Sequence, residues 1–236
     1  MEFIGEVAAW FGDPAHWAGR DGIPVRLLEH VELSGAALLA GLLIAVPIGL
    51  VIGHTGRGAL VAISIANIGR ALPSVGVLGM VLPLTLRAGW GLGLVPTLIA
   101  LTVLAIPPVV SNLHTGLREV DRDLVEAGRG MGMSGPQLLW RVELPIALPV
   151  ALAGVRTAAV QVIATATIGA ILSTGGLGRY IIDGIAAQNQ PKMVAGALLV
   201  MLLALASEGL FAGLQRLARP PGLRASDARV PAASAA

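Results

Sequence analysis

VDRDLVEAGRGMGMSGPQLLWRVELP, residues 120–145, is a long polar stretch between hydrophobic blocks that are each of a length to cross a bilayer. Apolar residues in its first half recur at positions i, i+4, i+7 and i+11, and charged residues occupy the other helical faces. These apolar residues are Val120, Leu124, Ala127 and Met131. Four glycines then interrupt the helix, and Pro136 suits the first turn of a second one. The pattern predicts two short amphipathic helices joined by a glycine elbow, a form suited to docking a partner.

The composition is that of an integral membrane protein. Of 236 residues, 55% are hydrophobic and only 13% are charged, and the mean hydropathy is +0.80. The 31 glycines, with many Ala, Leu and Val residues, favour packed helices over lipid-facing strands, which need alternation and aromatic girdles. We therefore predict an all-α integral membrane protein. The net charge of +2 gives no support for nucleic-acid binding, and the lack of cysteine excludes disulfides and cysteine-ligated metals.

Hydrophobic segments predict about five membrane spans, because about 20 apolar residues cross a hydrocarbon core roughly 30 Å thick. The segments are residues 33–52, 59–86, 94–113, 146–172 and 193–214. Prolines and polar residues interrupt the second segment, which is either one kinked helix or two short ones. Six spans are therefore the alternative.

Arginine placement predicts the orientation, because short cytoplasmic loops carry the excess of positive charge. With five spans and an outside amino terminus, nine of the sixteen basic residues fall on the inside. They are Arg57, Arg118, Arg122, Arg129, Arg141, Arg216, Arg219, Arg224 and Arg229. The polar stretch and the carboxyl terminus are thus predicted to be cytoplasmic, and the docking partner to come from the cytoplasm.

Three parts of the chain follow from this arrangement. Residues 1–32 form an extracytoplasmic or interfacial segment: the start, MEFIGEV, lacks the features of a cleavable signal peptide, while Trp10 and Trp17 suit an interfacial helix. An ordinary solvated tail is the alternative there. Residues 33–214 form the transmembrane domain, with the polar loop at 117–145. Residues 215–236, rich in Arg, Pro and Ala, form a cytoplasmic and disordered tail.

The polar loop carries a family resemblance. From Glu126 the chain has E-A-G, three residues, Gly132, nine residues, and then V-E-L-P ending at Pro145. This resembles the cytoplasmic "EAA" loop of importer-type ABC transporter permeases, written E-A-A, three residues, G, nine residues, I-x-L-P. Gly128 replaces the second alanine of that pattern and Val142 the isoleucine, and the spacing is kept throughout.

The resemblance covers roughly residues 33–214. ANIGRALPSVGVLGMVLP (66–83), LREVDRDLVEAGRGMGMS (117–134), VELPIALPVALAGVRTA (142–158) and STGGLG (173–178) are similar to permeases of osmoprotectant importers. The resemblance implies an importer-type permease fold with about five spans, and pairing of two permeases. It also implies that the loop forms coupling helices that sit in a cleft of a separate ATPase. ATP and Mg then belong to that ATPase, and this chain binds no cofactor or metal.

The function implied is that of a multi-pass subunit of the cytoplasmic membrane, not an enzyme, that moves glycine betaine, proline betaine, choline or carnitine. A separate extracytoplasmic binding protein would select the substrate, since the chain's eight aromatic residues form no cage in the sequence. A permease for another small polar substrate, such as an amino acid, is the alternative. An ion-coupled secondary transporter is disfavoured because Glu208 is the only acid within a predicted span.

The residues expected to dock the ATPase combine an apolar face, charges that fix the register and small residues that allow close approach. They are Leu124, Glu126, Ala127, Gly128, Arg129, Met131, Gly132, Leu144 and Pro145. Pro145 would link the loop stiffly to the next span. A merely solvated loop is the alternative, which the preserved spacing disfavours.

A second set of residues is assigned to the translocation pathway. It comprises Arg70, Pro73, Ser74, Arg156, Thr165, Gly175, Gly176 and Gly178. Arg70, Arg156 and Glu208 are ionisable residues within spans, which are costly in hydrocarbon unless paired or facing a cavity, so they line the pathway or the dimer seam, or snorkel to the interface. Gly175–Gly178 lacks the GK[ST] ending of a nucleotide loop. The four histidines lack metal-ligand spacing and are interpreted as interfacial.

Overall fold

The computed structural model describes residues 2–218, which consist of helices, turns and loops. The α-helices are α1 (Glu2–Gly12), α2 (Ile23–Thr55), α3 (Ala59–Ala71), α4 (Ser74–Arg87), α5 (Leu94–Arg118), α6 (Arg122–Gly130), α7 (Gly135–Leu138), α8 (Leu144–Ala166), α9 (Gly178–Ala186) and α10 (Gln190–Leu217). Within these residues α2, α5, α10 and the continuous stretch Gly135–Leu172 are each long and apolar enough to cross a membrane. The predicted all-α membrane fold is confirmed.

The helices α2 and α5 run side by side in the same direction. A Cβ atom added at Gly41 would lie 2.7 Å from the Cβ of Ala105, and one added at Gly53 would lie 2.6 Å from Cδ1 of Leu117. The contacts advance along both helices in the same direction, from Gly41 and Ala105 to Gly53 and Leu117. The chain between the two helices must therefore return across the bundle. That return is made by α3 and α4, which at 13 and 14 residues are each about 20 Å long and too short to span alone. The geometry therefore favours five crossings over six.

The return crossing is broken at Pro73. Leu72 has an extended backbone and Pro73 precedes α4, and the axes of α3 and α4 differ by 101°. The residue before a proline is disfavoured in the α conformation, so α3 ends at Ala71. The segment 59–86 is therefore one crossing built from two short helices rather than one gently kinked helix.

The core lies where α2, α5 and α8 meet. α8 runs antiparallel to α5, since Gly116 packs against Ala147 near one end of the pair and Gly154 packs against Pro108 further along it. Small residues at these contacts let the backbones approach closely, as is common between membrane helices. The buried residues of this core are Leu33, Ala37, Ala45, Ile52, Leu101, Ala105, Val109, Val110, Ala158, Val162 and Ala166.

Gly154→Ala is expected to destabilise the bundle. The added methyl group would lie 2.7 Å from Cβ of Asn112 and 2.8 Å from the carbonyl oxygen of Pro108, and overpacking of this kind costs about 1–3 kcal/mol. Gly209→Ala in α10 is the matched control, because beyond the adjacent residues and backbone of its own helix no described atom lies within 4 Å of the added methyl. Thermal unfolding in detergent measures both variants. Equal unfolding temperatures would contradict the close α5–α8 contact.

Two segment boundaries differ from those expected. α2 begins at Ile23, so the predicted boundary at residue 33 falls within a helix. Arg26 forms ion pairs with Asp21 and Glu29, and such pairing lets charged residues continue a helix that a charge-free window excludes. α10 continues to Leu217, and the rest of the predicted tail, residues 219–236, lies outside the described residues.

Candidate functional site

The polar loop forms the predicted pair of helices with an elbow between them. α6 begins after Asp121, whose side chain accepts a hydrogen bond from the backbone N–H of Asp123 at 3.0 Å, as an N-cap does. Gly132 lies in the elbow with a φ of +81°, in the left-handed region that glycine adopts without steric cost. Ser134 and Gln137 then form a capping box at the start of α7. The elbow is confirmed.

The second helix of the loop is not a separate unit. α7 continues into a π-helix, Leu139–Glu143, and then into α8. In a regular α-helix the ring of Pro145 would clash with the carbonyl group of Arg141, four residues earlier, and the wider π turn relieves that clash. The loop is therefore joined to α8 by continuous helix, where the sequence indicated only a stiff proline link. A displacement of α7 is passed directly to α8.

One face of α6 presents apolar side chains to the outside. The exposed fractions are 49% for Leu124 and 74% for Met131, and Ala127 between them is also exposed. Trp140, in the π-helix, is 60% exposed and was not among the predicted docking residues. The loop thus exposes four apolar side chains, one of them an aromatic residue that the sequence analysis did not indicate.

Two of the predicted docking residues hold the loop together internally. A Cβ atom added at Gly128 would lie 2.8 Å from Cδ1 of Leu138, a fully buried side chain. Gly128 therefore lets α6 close onto α7. Leu144 packs on the cluster formed by Leu113, Leu117 and Ala147, at the ends of α5 and α8. These two residues fix the position of the loop on the bundle.

The charged residues of the loop surround a polar cavity of about 270 Å³. Glu126 and Arg129 reach it from α6, and neither forms an ion pair with any of residues 2–218. The other lining residues are Gly53, His54, Leu117, Arg118, Val120, Arg122, Val125 and Glu143. A carboxylate and a guanidinium with unused hydrogen-bonding capacity are available to a partner protein.

His54 and Glu143 form a contact that sequence reasoning missed. The Nδ1 atom of His54 lies 2.5 Å from Oε2 of Glu143, and the Glu143 side chain is only 7% exposed. The interfacial interpretation is also wrong for His30, which is buried and lies 2.9 Å through Nε2 from the carbonyl oxygen of Ile163. The sequence did contain one indication of this contact. Glu143 is an acid at the unspecified position of the V-E-L-P motif, beside a span, and an acid buried there needs a partner.

At the opposite end of the bundle, the glycine loop Gly175–Gly178 is clamped by α2. Oε2 of Glu29 accepts hydrogen bonds from the backbone N–H of Gly176 at 2.7 Å and from Nη1 of Arg26 at 2.9 Å. Gly175 has a φ of +82°, and a side chain there would collide with the Glu29 carboxylate. These glycines are thus packed against the first turns of α2.

Aromatic residues that are far apart in the sequence converge at this end. The ring of Trp10 stacks on His16 at 4.1 Å and meets the edges of Phe11 and Tyr180 at 5.2 and 5.4 Å. The Tyr180 hydroxyl donates a hydrogen bond to the carbonyl oxygen of Asp21 at 2.6 Å, and burial raises the pKa of Tyr180 to about 12. The rings pack on one another and fasten α1 to α9, so the cluster is structural.

Arg156 is already paired. Its Nη2 atom forms an ion pair with Oε1 of Glu208 in α10, and its Nη1 atom lies 3.4 Å from Oε1 of Gln215. The three side chains line an open polar groove between α8 and α10 that also includes Thr157 and Gln161. The groove is the part of the spans where a polar solute or a second permease would meet polar groups.

The other predicted pathway residues fall into three places. Ser74 and Thr165 line one small cavity between α4 and α8. Gly178 is packed against the backbone of Thr167: a Cβ atom added at Gly178 would lie 2.6 Å from the carbonyl oxygen of Thr167. Arg70 and Pro73 are exposed near the break between α3 and α4. The predicted set is therefore dispersed, although Ser74 and Thr165 share a cavity.

A bundle of membrane-spanning helices with a charged helical loop projecting from one end defines a membrane transport subunit of the permease class. Residues 39–220 match the family described as "Binding-protein-dependent transport system inner membrane component". The chain belongs to this family, so it is an inner-membrane permease component rather than an enzyme, as predicted.

Curated relatives narrow the class to osmoprotectant permeases. The choline transport system permease protein OpuBB of Bacillus subtilis is 36% identical over 199 residues, which are 84% of this chain and 89% of that protein. The osmoprotectant import permease protein OsmW of Salmonella typhimurium is 36% identical over 196 residues, 83% of this chain and 91% of that protein. The predicted resemblance to the osmoprotectant branch is confirmed.

Solved structures support the fold. A chain of the inward-facing MetNI methionine ABC transporter matches with a TM-score of 0.76 at 22% identity, covering 88% of this chain and 99% of that one. A chain of an amino acid ABC transporter matches with a TM-score of 0.68 at 19% identity, covering 80% and 91%. The importer-type permease fold is therefore shared across permeases with little sequence in common.

Proposed function

We propose that this chain is the permease through which an ATP-driven importer moves a small quaternary ammonium osmoprotectant of the choline, carnitine or glycine betaine type. The relatives named for these solutes cover most of the chain, and they support the substrate class. The exposed apolar face formed by Leu124, Ala127 and Met131 carries the proposal, because it is a partner surface on the loop that lies directly before α8.

The partners proposed are a cytoplasmic ATPase that binds ATP and Mg, a second permease and an extracytoplasmic binding protein. α1 packs beside the start of α10, whereas the polar loop lies at the other end of α2 and α5. Five crossings put the amino terminus and the loop on opposite sides, and α10 ends on the side of the loop. Together with the arginine distribution this supports a cytoplasmic loop and carboxyl terminus and an outside amino terminus.

Uptake into proteoliposomes tests the proposal. The chain is reconstituted with its ATPase and binding protein, and radiolabelled choline, carnitine and glycine betaine are offered separately. We expect uptake of at least one solute to require ATP and to fall to background when the ATPase is omitted, because the chain then has no source of energy for transport. Uptake that persists without ATPase and follows an imposed ion gradient would contradict the proposal and indicate a secondary transporter.

A further inference from the structure

The junction between the coupling loop and α8 contains a buried carboxylate. Glu143 ends the π-helix Leu139–Glu143, at the point where the loop becomes a span, and its side chain is 7% exposed. Burying a carboxylate is costly unless it is paired and hydrogen-bonded. Among residues 2–218 its ion-pair partner is His54, at 2.5 Å.

His54 lies in the last turn of α2, just before the left-handed Gly56 that ends this helix. At this position the imidazole can donate a hydrogen bond from Nδ1 to the Glu143 carboxylate. The same ring lies close to the start of α7, since its Nε2 atom would be 3.5 Å from a Cβ atom added at Gly135. His54 therefore contacts Glu143, 89 residues away in the sequence, and lies near the start of α7 as well.

The two residues add a polar link between the loop and the end of α2, beside the apolar cluster of Leu113, Leu117 and Ala147 on which both elements pack. Glu143 belongs to the helical path from α7 into α8, whereas His54 belongs to α2. α2 is packed along α5 through Gly49 and Gly53, which touch Leu113 and Leu117. A displacement applied to the loop reaches α8 through the backbone, and the His54–Glu143 contact gives it a direct polar connection to the end of α2.

We propose that the His54–Glu143 contact is a latch through which movement of the coupling loop is transmitted to α2, and through α2 to α5. Both are positioning residues for transport. The inference rests on the proposed function, because it requires an ATPase that moves the loop. The charged groups that face the same cavity are Arg118 of α5 and Arg122, Glu126 and Arg129 of α6.

Distance measurements between spin labels test the latch without a substrate. The chain has no cysteine, so Val51→Cys in α2 and Leu214→Cys in α10, both at exposed positions, accept nitroxide labels without background. In the complex with the ATPase, the separation of the labels is expected to change between the ADP and ATP states. His54→Ala is expected to abolish this change. His54→Asn is expected to keep it, because the asparagine amide nitrogen occupies the position of Nδ1.

The outcomes distinguish a failure of the proposed function from a failure of the latch. If the ATPase does not copurify with the unmutated chain, the proposed function fails. If it copurifies with every variant and His54→Ala shows the full change in distance, the latch is wrong and the docking role stands. Absence of any change in the unmutated complex also overturns the latch, because α2 then does not move.

A double variant separates transmission from simple stabilisation. His54→Ala leaves a buried carboxylate unpaired, whereas His54→Ala with Glu143→Ala also removes that carboxylate, so the double variant should recover thermal stability in detergent. The change in label distance should stay lost in it, because the contact is still missing. Recovery of both stability and the distance change would show that the contact only stabilises the loop.

Discussion

Glu126→Lys is expected to abolish association with the ATPase while leaving the fold intact. Glu126 is exposed on α6 and forms no ion pair with any of residues 2–218, so its replacement removes no internal contact. The lysine would also add a positive charge to a cavity already lined by Arg118, Arg122 and Arg129. Reversing a charge that pairs across an interface typically costs about 2–5 kcal/mol, or roughly 30-fold or more in affinity.

Copurification of the ATPase with the tagged permease measures this effect, and thermal unfolding in detergent shows that the variant is folded. Glu6→Lys makes the same change of charge on an exposed residue of α1, at the opposite end of the bundle, and should bind the ATPase normally. Equal recovery of ATPase with both variants would remove Glu126 from the docking surface. Uptake should fail in Glu126→Lys alone.

The features that the sequence predicted well are those set by local chemistry. The glycine elbow follows from helix periodicity and from Gly132, which takes a positive φ where the chain turns. The spans follow from hydrophobic length, and the break in the second one follows from Pro73. In each case the residues that decide the structure lie within one or two helical turns of the feature they decide.

The features that could not be predicted depend on contacts between distant parts of the chain. Gly128 was expected to allow approach by the ATPase, but it faces Leu138 of the same loop. The pairing of Glu143 with His54 becomes visible only when the end of α2 is known to lie beside the start of α8. Periodicity and charge show that a buried acid requires a partner, but they do not select the partner.

The parallel arrangement of α2 and α5 shows the same limit. Residues 59–86 alone were compatible with one span or two, because their length and prolines suit both. The choice of a single crossing came from the rising order of the contacts that α2 makes along α5. That order is a property of the packed bundle, and residues 59–86 by themselves do not contain it.

Gly175→Ala is expected to be among the most destabilising single changes in the glycine loop. Two costs combine there. The positive φ of +82° costs a residue with a Cβ about 1–2 kcal/mol. The added methyl would also displace the Glu29 carboxylate, whose oxygen is tied to Gly176 and Arg26, so the side chain yields only by breaking those hydrogen bonds, at about 1–3 kcal/mol.

Gly19→Ala is the matched control, because Gly19 has a φ of +78° and, apart from its two chain neighbours, no described residue lies within 4 Å of an added methyl. It carries the conformational cost without the clash. The difference between the two variants in thermal unfolding temperature therefore measures the clamp between α2 and the glycine loop. If both variants lose the same stability, Glu29 moves aside freely and the clamp is loose. If Gly175→Ala loses clearly more, the loop is held firmly by α2, and any opening of this end of the bundle must first release Glu29 from Gly176.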